Sequence, residues 1–221
     1  MLRPPFWVRA NGRTCQIAAG DEPGSATCYS EVVVEDCYGL YEYRKRARPR
    51  LVVDIGANIG TFSKLCSMLF PDADIYAYEP NPKALKYLAR NAEGTRIRVM
   101  PCAVGENSEP VRLDTSCDST IGRVVATGDL AVDCVAASEV AEGREIDLLK
   151  IDCEGSEWAI LKDAALLNRS RDFFLEYHLI DGHTVEEMRE LIAKAGHSIT
   201  SLIVNKGNEK AGFIRSTRNA E

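Results

Sequence analysis

The sequence contains no long apolar stretch, and this absence excludes an integral membrane protein built from helices. No apolar run approaches the roughly 20 residues that a membrane-spanning helix needs. Residues 1–12 also lack the apolar core of a secretory signal peptide. We therefore expect a protein that is located in the cytoplasm and has no membrane partner.

Closely spaced cysteine pairs are also missing. None of the 8 cysteines forms a Cys-x-x-Cys pair with another, so the usual zinc-ribbon and redox signatures are absent. Several cysteines lie within apolar segments, where a thiol behaves as a small apolar side chain. We therefore expect reduced, metal-free cysteines at all positions, namely Cys15, Cys28, Cys37, Cys66, Cys102, Cys117, Cys134 and Cys153.

The sequence has no excess of basic residues. It has 27 Lys and Arg against 33 Asp and Glu, which gives a formal net charge of -6. Because binding to a duplex backbone requires a basic surface, we do not expect nucleic acid as the main partner. The hydrophobic content of 45% is ordinary for a globular protein, and 221 residues suffice for one large domain or a domain with a small appendage.

The most informative segment that the sequence does contain is a strand–turn–helix pattern in its first third. Residues 51–60 read Leu-Val-Val-Asp-Ile-Gly-Ala-Asn-Ile-Gly, which predicts a short buried strand followed by a tight turn. Residues 61–70 follow with apolar side chains at helical spacing. This succession is typical of the first unit of a nucleotide-binding α/β fold.

The residues of this turn favour one class of nucleotide over another. A dinucleotide fingerprint has a middle glycine where the backbone approaches a pyrophosphate, and Asn58 occupies that place here. Asp54 would repel a phosphate. S-adenosylmethionine has no phosphate and carries an ammonium and a sulfonium, so it suits the turn better. We therefore predict that Asp54, Gly56, Ala57, Asn58 and Gly60 bind this cofactor.

The next two strand ends extend the predicted cofactor site. Residues 75–78 form a candidate strand, and Glu79 follows it at the position where an acid can accept hydrogen bonds from both ribose hydroxyls. Pro80 comes directly after it. Ala103 and Val104 follow the third strand, where they could contact the adenine ring or simply form the exit of a strand.

Residues 1–50 precede this unit and are predicted to be rich in β-structure. The segments 6–10 and 13–17 flank Asn11-Gly12, which indicates a type I′ hairpin, and residues 32–34 are a third candidate strand. This extension could cap the cofactor side, form part of a substrate lid or cover a face of the sheet. We expect it to be distinct from a methyl-donor-binding unit at residues 51–221.

The alternation of strands and helices after residue 50 predicts an α/β fold. A mostly parallel sheet with helices on both faces is expected, with an antiparallel pair made by residues 199–204 and 211–214. Ligands of such sheets bind beyond the carboxyl ends of the strands. Asp152 and His178 follow two later candidate strands and should therefore lie at that edge together with Glu79.

Four segments of this sequence resemble the FkbM-type methyltransferases. They are Val-Val-Asp-Ile-Gly-Ala-Asn-Ile-Gly (52–60), Ala-Tyr-Glu-Pro-Asn-Pro (77–82), Asp-Leu-Leu-Lys-Ile-Asp-Cys-Glu-Gly-Ser-Glu-Trp (147–158) and Phe-Phe-Leu-Glu-Tyr-His (173–178). The resemblance implies a Rossmann-like class I fold with a seven-stranded sheet. It also implies S-adenosylmethionine as methyl donor and O-methylation of a sugar or a hydroxylated natural product. In this family pattern, Asp152 occupies the acidic strand end that faces the methyl group.

Transfer of a methyl group to an aliphatic hydroxyl benefits from a base, because the hydroxyl is a poor nucleophile. We predict that His178 is this base and that Asp152 orients the cofactor or the acceptor. Glu154 is the second candidate base if burial raises its pKa. The alternative for His178 is a structural role, in which it caps its strand and bonds a neighbouring backbone carbonyl.

Other functions remain open at this point. An N-methyltransferase acting on a small molecule or peptide would need the same cofactor site, and so would a non-catalytic module that only binds S-adenosylmethionine. An NAD-dependent oxidoreductase is disfavoured by Asn58 and Asp54. We expect no metal, although Asp152 and Glu154 with a third acid such as Asp181 could hold magnesium.

Overall fold

The computed structural model describes residues 3–114, 123–124, 128–205 and 207–220. Its strands are, in chain order, β1 (Phe6–Ala10), β2 (Arg13–Ile17), β3 (Leu51–Ile55), β4 (Asp74–Tyr78), β5 (Ile97–Met100), β6 (Ala103–Gly105), β7 (Val111–Asp114), β8 (Arg123–Val124), β9 (Leu130–Val132), β10 (Cys134–Ala136), β11 (Ile146–Ile151), β12 (Ser170–His178), β13 (His197–Asn205) and β14 (Asn208–Arg218). Its α-helices are α1 (Pro23–Tyr29), α2 (Leu40–Arg46), α3 (Thr61–Leu69), α4 (Pro82–Ala92), α5 (Glu157–Lys162), α6 (Ala164–Asn168) and α7 (Val185–Lys194). A π-helix (Ser30–Val34) lies between α1 and α2, and a 3₁₀ helix (Ala137–Gly143) precedes β11.

Seven strands form the central sheet in the order β13-β14-β12-β11-β3-β4-β5. The five strands from β12 to β5 are parallel to one another. Strand β14 runs antiparallel to both of its neighbours. The expected α/β fold, with a mostly parallel seven-stranded sheet and an antiparallel strand at the end of the chain, is therefore confirmed.

The central strands are largely apolar because both faces of the sheet are covered. All five residues of β3 are buried, so its alternating side chains enter two different cores. Val52 belongs to the core that includes α3, α4 and the N-terminal segment. Val53 belongs to the core on the other face, which includes α5, α6 and α7. Helices thus lie on both faces of the sheet, as predicted.

The first fifty residues pack on the same face of the sheet as α3. The predicted hairpin is present, with left-handed backbone at Asn11 (φ 50) and Gly12 (φ 73), as a type I′ turn requires. The Asn11 side-chain amide donates to the Met68 carbonyl in α3 at 2.7 Å. The prediction of a strand at residues 32–34 is wrong, because these residues complete the π-helix.

Two helical segments of the chain are irregular. The helical segment after residue 157 is divided at Asp163, whose carboxylate caps α6 by accepting from the Ala165 amide at 2.9 Å. Residues Ala137–Gly143 form a kinked 3₁₀ helix.

The seven cysteines within the described residues are free thiols, in agreement with the prediction of reduced cysteines. Cys117 lies outside the described residues.

Gly56 shows why the turn after β3 requires glycine. Its φ of 75° is left-handed, and a Cβ atom at this position would lie 1.7 Å from the Asp152 carbonyl oxygen. The backbone of the turn after β3 therefore packs directly against the backbone of the turn after β11, with no room for a side chain at Gly56. Gly94, after α4, also has a left-handed φ of 66°, but nothing lies within 4 Å of its Cβ position.

We predict that Gly56→Ala destabilises the protein far more than Gly94→Ala. Both substitutions place an L-residue in the left-handed region, which costs about 1–2 kcal/mol. Only Gly56→Ala also drives a methyl group into a carbonyl oxygen. Denaturant unfolding of the two variants measures the difference, and equal losses of stability would show that the two turns can separate freely.

Candidate functional site

A cavity of about 330 Å³ opens at the edge of the sheet where β3, β4, β11 and β12 end. Gly56, Ala57 and Asn58 line it from the turn after β3, and Glu79 with Pro80 lines it after β4. All five were predicted as cofactor-binding residues. The structure therefore brings two separate sequence segments of the predicted site onto one surface.

The turn after β3 is held against β4 by backbone hydrogen bonds. The amides of Gly56 and Ala57 both donate to the Tyr78 carbonyl, at 3.0 and 2.9 Å. Gly60 then caps α3 with a φ of 85°. It is not among the residues that line the cavity, so its contribution is to begin the helix closely packed against Leu88.

The carboxylate of Glu79 is oriented by the backbone on either side of it. One oxygen accepts from the Asn58 amide at 2.8 Å, and the other accepts from the Asn81 amide at 2.7 Å. Burial raises the pKa of Glu79 to about 7, although these two hydrogen bonds act in the opposite direction. The side chain lines the cavity with free lone pairs, as a residue that accepts from ribose hydroxyls must.

Asp54 does not line the cavity, contrary to our prediction. Its side chain is fully buried within the sheet, where it accepts from the Ser63 hydroxyl at 2.7 Å and pairs with the Lys150 ammonium at 3.1 Å. The reason is the parallel register, which places Lys150 of β11 directly beside Asp54 of β3. Asp54 therefore supports the site from below its surface.

Lys150 is the central residue that the sequence analysis missed. Its ammonium lies 3.1 Å from Asp54, 3.2 Å from Asp152 and 2.7 Å from the Gly56 carbonyl oxygen. Burial would lower the pKa of Lys150, but the two carboxylates outweigh burial and hold the pKa above its ordinary value. A lysine inside the apolar run Leu-Leu-Lys-Ile was the signal available in the sequence.

Asp152 lies at the cavity surface, as predicted. Its carboxylate accepts from the Tyr38 hydroxyl at 2.9 Å in addition to its contact with Lys150. Tyr38 is buried and belongs to the N-terminal segment, which also contributes residues of α1 and the π-helix to the cavity wall. The N-terminal extension thus covers one side of the site.

His178 is placed differently from our prediction. It is not among the residues that line the cavity. Its Nδ1 atom lies 3.4 Å from Glu157 and its Nε2 atom 3.7 Å from Glu154. Burial lowers the pKa of His178, but the hydrogen bond and charge of Glu157 with the charge of Glu154 raise it overall. The His178 ring thus lies between two carboxylates, outside the described lining of the cavity.

His178 also differs from the alternative prediction, in which its ring bonds a neighbouring backbone carbonyl. The ring instead approaches the Glu157 carboxylate, and the His178 backbone carbonyl accepts from the Trp158 indole at 2.8 Å. Glu157 itself is fully buried and accepts from the amides of Cys153 and Gly155. His178 therefore stabilises the turn that carries Glu154 into the cavity wall.

Two further acids line the cavity and were not predicted. Glu31 comes from the π-helix and Glu176 from β12. Burial, together with Asp152 and Glu35, raises the pKa of Glu31 to about 7. Burial and the charges of neighbouring acids hold the pKa of Glu176 well above its ordinary range. Glu176 follows an apolar strand segment, which is the same signal that identified Asp152.

The opposite part of the cavity is less polar. Ala103 and Val104 of β6 line it together with Cys102 and Leu113. Strand β6 is held in place by parallel pairing with β10. An apolar wall next to Glu79 suits the base of a nucleoside, which is the environment expected for Ala103 and Val104.

The structure gives no support to the alternative of a magnesium site. Within the described ranges of the chain, no group of three or more His, Cys, Asp or Glu side chains is arranged to hold a metal ion. Asp181 is not among the cavity-lining residues.

Within the described ranges of the chain, no helix is both long and apolar enough to cross a membrane.

We predict that Lys150→Met lowers the free energy of unfolding by about 3–5 kcal/mol, because it leaves buried carboxylates without their cation. Lys45→Met is the control, since Lys45 is exposed and pairs with Glu42 at the surface, where a change of about 0.5 kcal/mol or less is expected. Denaturant unfolding measures both. A Lys150→Met variant as stable as Lys45→Met would contradict the importance of the buried pair.

Comparison with known proteins identifies the family. A model of the methyltransferase FkbM domain matches residues 54–199. Hexuronic acid methyltransferase AglP of Haloferax volcanii is 26% identical over 172 residues, which cover 75% of this chain and 69% of that protein. The 31-O-demethyl-FK506 methyltransferase FkbM of Streptomyces tacrolimicus is 28% identical over 214 residues, covering 78% of this chain and 80% of that protein.

The fold is shared with solved methyltransferase structures. Magnesium protoporphyrin IX methyltransferase (ChlM) from Synechocystis PCC 6803, with bound S-adenosylmethionine, matches with a TM-score of 0.56 at 12% identity. The match covers 91% of this chain and 86% of that chain. Because the domain match spans well over half of the sequence, this protein belongs to the FkbM methyltransferase family and is a class I S-adenosylmethionine-dependent methyltransferase.

Proposed function

We propose that the protein methylates a hydroxyl group on a sugar or on a hydroxylated natural product. The observation that carries this proposal is the cavity, whose lining combines the apolar residues Ala103, Val104 and Leu113 with a group of carboxyls. Two relatives support the substrate class, since one is named a hexuronic acid methyltransferase and the other acts on 31-O-demethyl-FK506. We expect a small-molecule or glycan acceptor.

The residues of the cavity fit S-adenosylmethionine. Glu79 would accept from the ribose hydroxyls, and Ala103 with Val104 would contact the adenine. The turn at Gly56, Ala57 and Asn58 with Pro80 would enclose the ribose and methionine part. Asp152 would face the ammonium or sulfonium. When bound, S-adenosylmethionine supplies an activated methyl group.

Within this arrangement, the chain itself must remove the proton of the acceptor hydroxyl. We assign this role to Glu176, because its carboxyl lines the cavity, whereas the His178 ring does not. The raised pKa of Glu176 keeps its carboxyl protonated in the free protein near neutral pH, and the positive charge of bound S-adenosylmethionine would favour the ionised form that accepts the proton of the acceptor hydroxyl. Glu154 remains the second candidate, since it lines the same wall. Asp152 is held by Lys150 and Tyr38 and is therefore suited to orientation.

A non-catalytic binding module and an N-methyltransferase are the competing functions. Incubation with labelled S-adenosylmethionine and a panel of sugars, uronic acids, amino sugars and hydroxylated natural products distinguishes them. Label in an ether or ester of an oxygen acceptor is expected. Label on nitrogen would favour N-methylation, and cofactor binding with no product on any acceptor would favour a binding module.

We predict that the protein binds S-adenosylhomocysteine and not NAD, and that Glu79→Ala weakens this binding by at least about tenfold. Loss of hydrogen bonds to a carboxylate costs roughly 1.5–3 kcal/mol each. Calorimetric titration measures the affinities. Glu190→Ala, which removes an exposed acid from α7, is the control and should leave the affinity unchanged. Tight binding of NAD alone would refute the proposed cofactor.

We also predict that Glu176→Gln lowers kcat by about a hundredfold or more, which is the usual contribution of a general base. The affinity for S-adenosylhomocysteine should change little, because the role assigned to Glu176 concerns the acceptor hydroxyl and not the cofactor. His178→Gln, two residues further along β12, should keep kcat within a few-fold of the parent. A hundredfold lower kcat in His178→Gln, with a nearly unchanged kcat in Glu176→Gln, would identify His178 as the base.

A further inference from the structure

The cavity lining carries more negative than positive groups. Among the described residues that line it, Lys150 is the one Lys or Arg. The acidic side chains that line it are Glu31, Glu79, Asp152, Glu154 and Glu176. The charge of Lys150 is already shared between Asp54 and Asp152, because both carboxylates lie within 3.2 Å of its ammonium. Glu31 and Glu176 therefore face a cavity whose described lining offers no Lys or Arg other than this shared one.

Glu31 is the acid in this group whose position the family pattern does not account for. It precedes residue 54, where the family match begins. It lies on the π-helix, a rare conformation that is frequently found at functional sites. Within the described part of the chain, its carboxyl has no hydrogen bond or ion pair with another side chain, and it lines the cavity.

On this basis we propose that Glu31 recognises the positive charge that distinguishes the methyl donor, S-adenosylmethionine, from its demethylated product, S-adenosylhomocysteine. The inference rests on the proposed function and adds a residue that selects between the two forms of the cofactor. The physical basis is Coulombic. A half-buried carboxylate without a partner attracts a sulfonium cation in the same cavity but has no such attraction to a neutral thioether.

This role predicts that the Glu31 carboxyl releases a proton to solvent when S-adenosylmethionine binds. In the free protein, the pKa of Glu31 is about 7, so a large fraction of its carboxyl is protonated at neutral pH. A cation bound nearby favours the ionised form, and the proton is then released to solvent. S-adenosylhomocysteine has no sulfonium charge, so its binding does not stabilise the ionised form of Glu31 in this way. The titratable and charged groups around Glu31 come from the N-terminal segment and from the ends of β11 and β12. They are Cys28, Glu35, Cys37, Lys150, Asp152, Glu154, Glu176 and His178.

The experiment is calorimetric titration of both ligands at pH 7 in two buffers that differ in ionisation enthalpy. For the parent protein, we expect more protons to be released on binding S-adenosylmethionine than on binding S-adenosylhomocysteine. Glu31→Gln should weaken the affinity for S-adenosylmethionine by at least about tenfold, because at an effective dielectric constant of about 20 a unit charge within roughly 10 Å contributes at least that factor. Its affinity for S-adenosylhomocysteine should stay within about twofold.

Glu35→Gln is the matched control, because it removes the same charge at the end of the same π-helix. Glu35 is exposed, bonds Ser30 at 3.0 Å and is not among the cavity-lining residues. It should leave both affinities within about twofold, since an exposed charge is strongly screened. Glu31→Asp keeps the carboxylate and should retain most of the preference for the charged ligand.

The outcomes separate this inference from the proposed function. Equal weakening of both ligands by Glu31→Gln would overturn the inference while leaving the cofactor assignment intact. Equal proton release by the two ligands in the parent protein would overturn it without any variant, so the result does not depend on the stability of Glu31→Gln. Failure of the parent to bind either ligand would overturn the proposed function and the inference together.

Discussion

The site depends on one buried cation. Lys150 connects Asp54 inside the sheet, Asp152 at the cavity surface and the carbonyl of Gly56 in the cofactor turn. An isolated charge in this position would be very costly, and so would either carboxylate without the lysine. Because each group is satisfied only when the others are in place, β3 and β11 must keep the register that sets Lys150 beside Asp54. The shape of the cavity floor follows from that register.

The two walls of the cavity are built by different means. At the end of β4, backbone amides orient Glu79, so the position of its carboxylate is set by the turns themselves. On the other side, the acids are crowded and only Asp152 is held by a cation and a tyrosine hydroxyl. This crowding explains why burial and mutual repulsion raise the pKa values of Glu31 and Glu176. A cationic ligand relieves the repulsion, which links the electrostatics of the free protein to the proposed methyl donor.

The N-terminal segment completes the cavity from outside the family match. The family match begins at residue 54, whereas Glu31 and Tyr38 reach the cavity from residues before it. Tyr38 packs against Phe62 and Phe213 and donates to Asp152, so the segment is tied to the core as well as to the site. The cavity is thus formed jointly by the sheet edge within the family match and by residues that precede it.

The sequence by itself determined the elements whose signals are local. Apolar runs, the glycine turn and an acid after a strand identified strands of the cofactor half and the position of Glu79 after one of them, because each depends on neighbouring residues. Only the tertiary structure decided the direction of each acid. Asp54 faces Lys150 across a strand pair, and His178 lies between two carboxylates and outside the described lining of the cavity. Glu31 and Glu176 line the same cavity from positions 145 residues apart, and no local pattern encodes an arrangement that arises from strand register and from packing of the N-terminal segment.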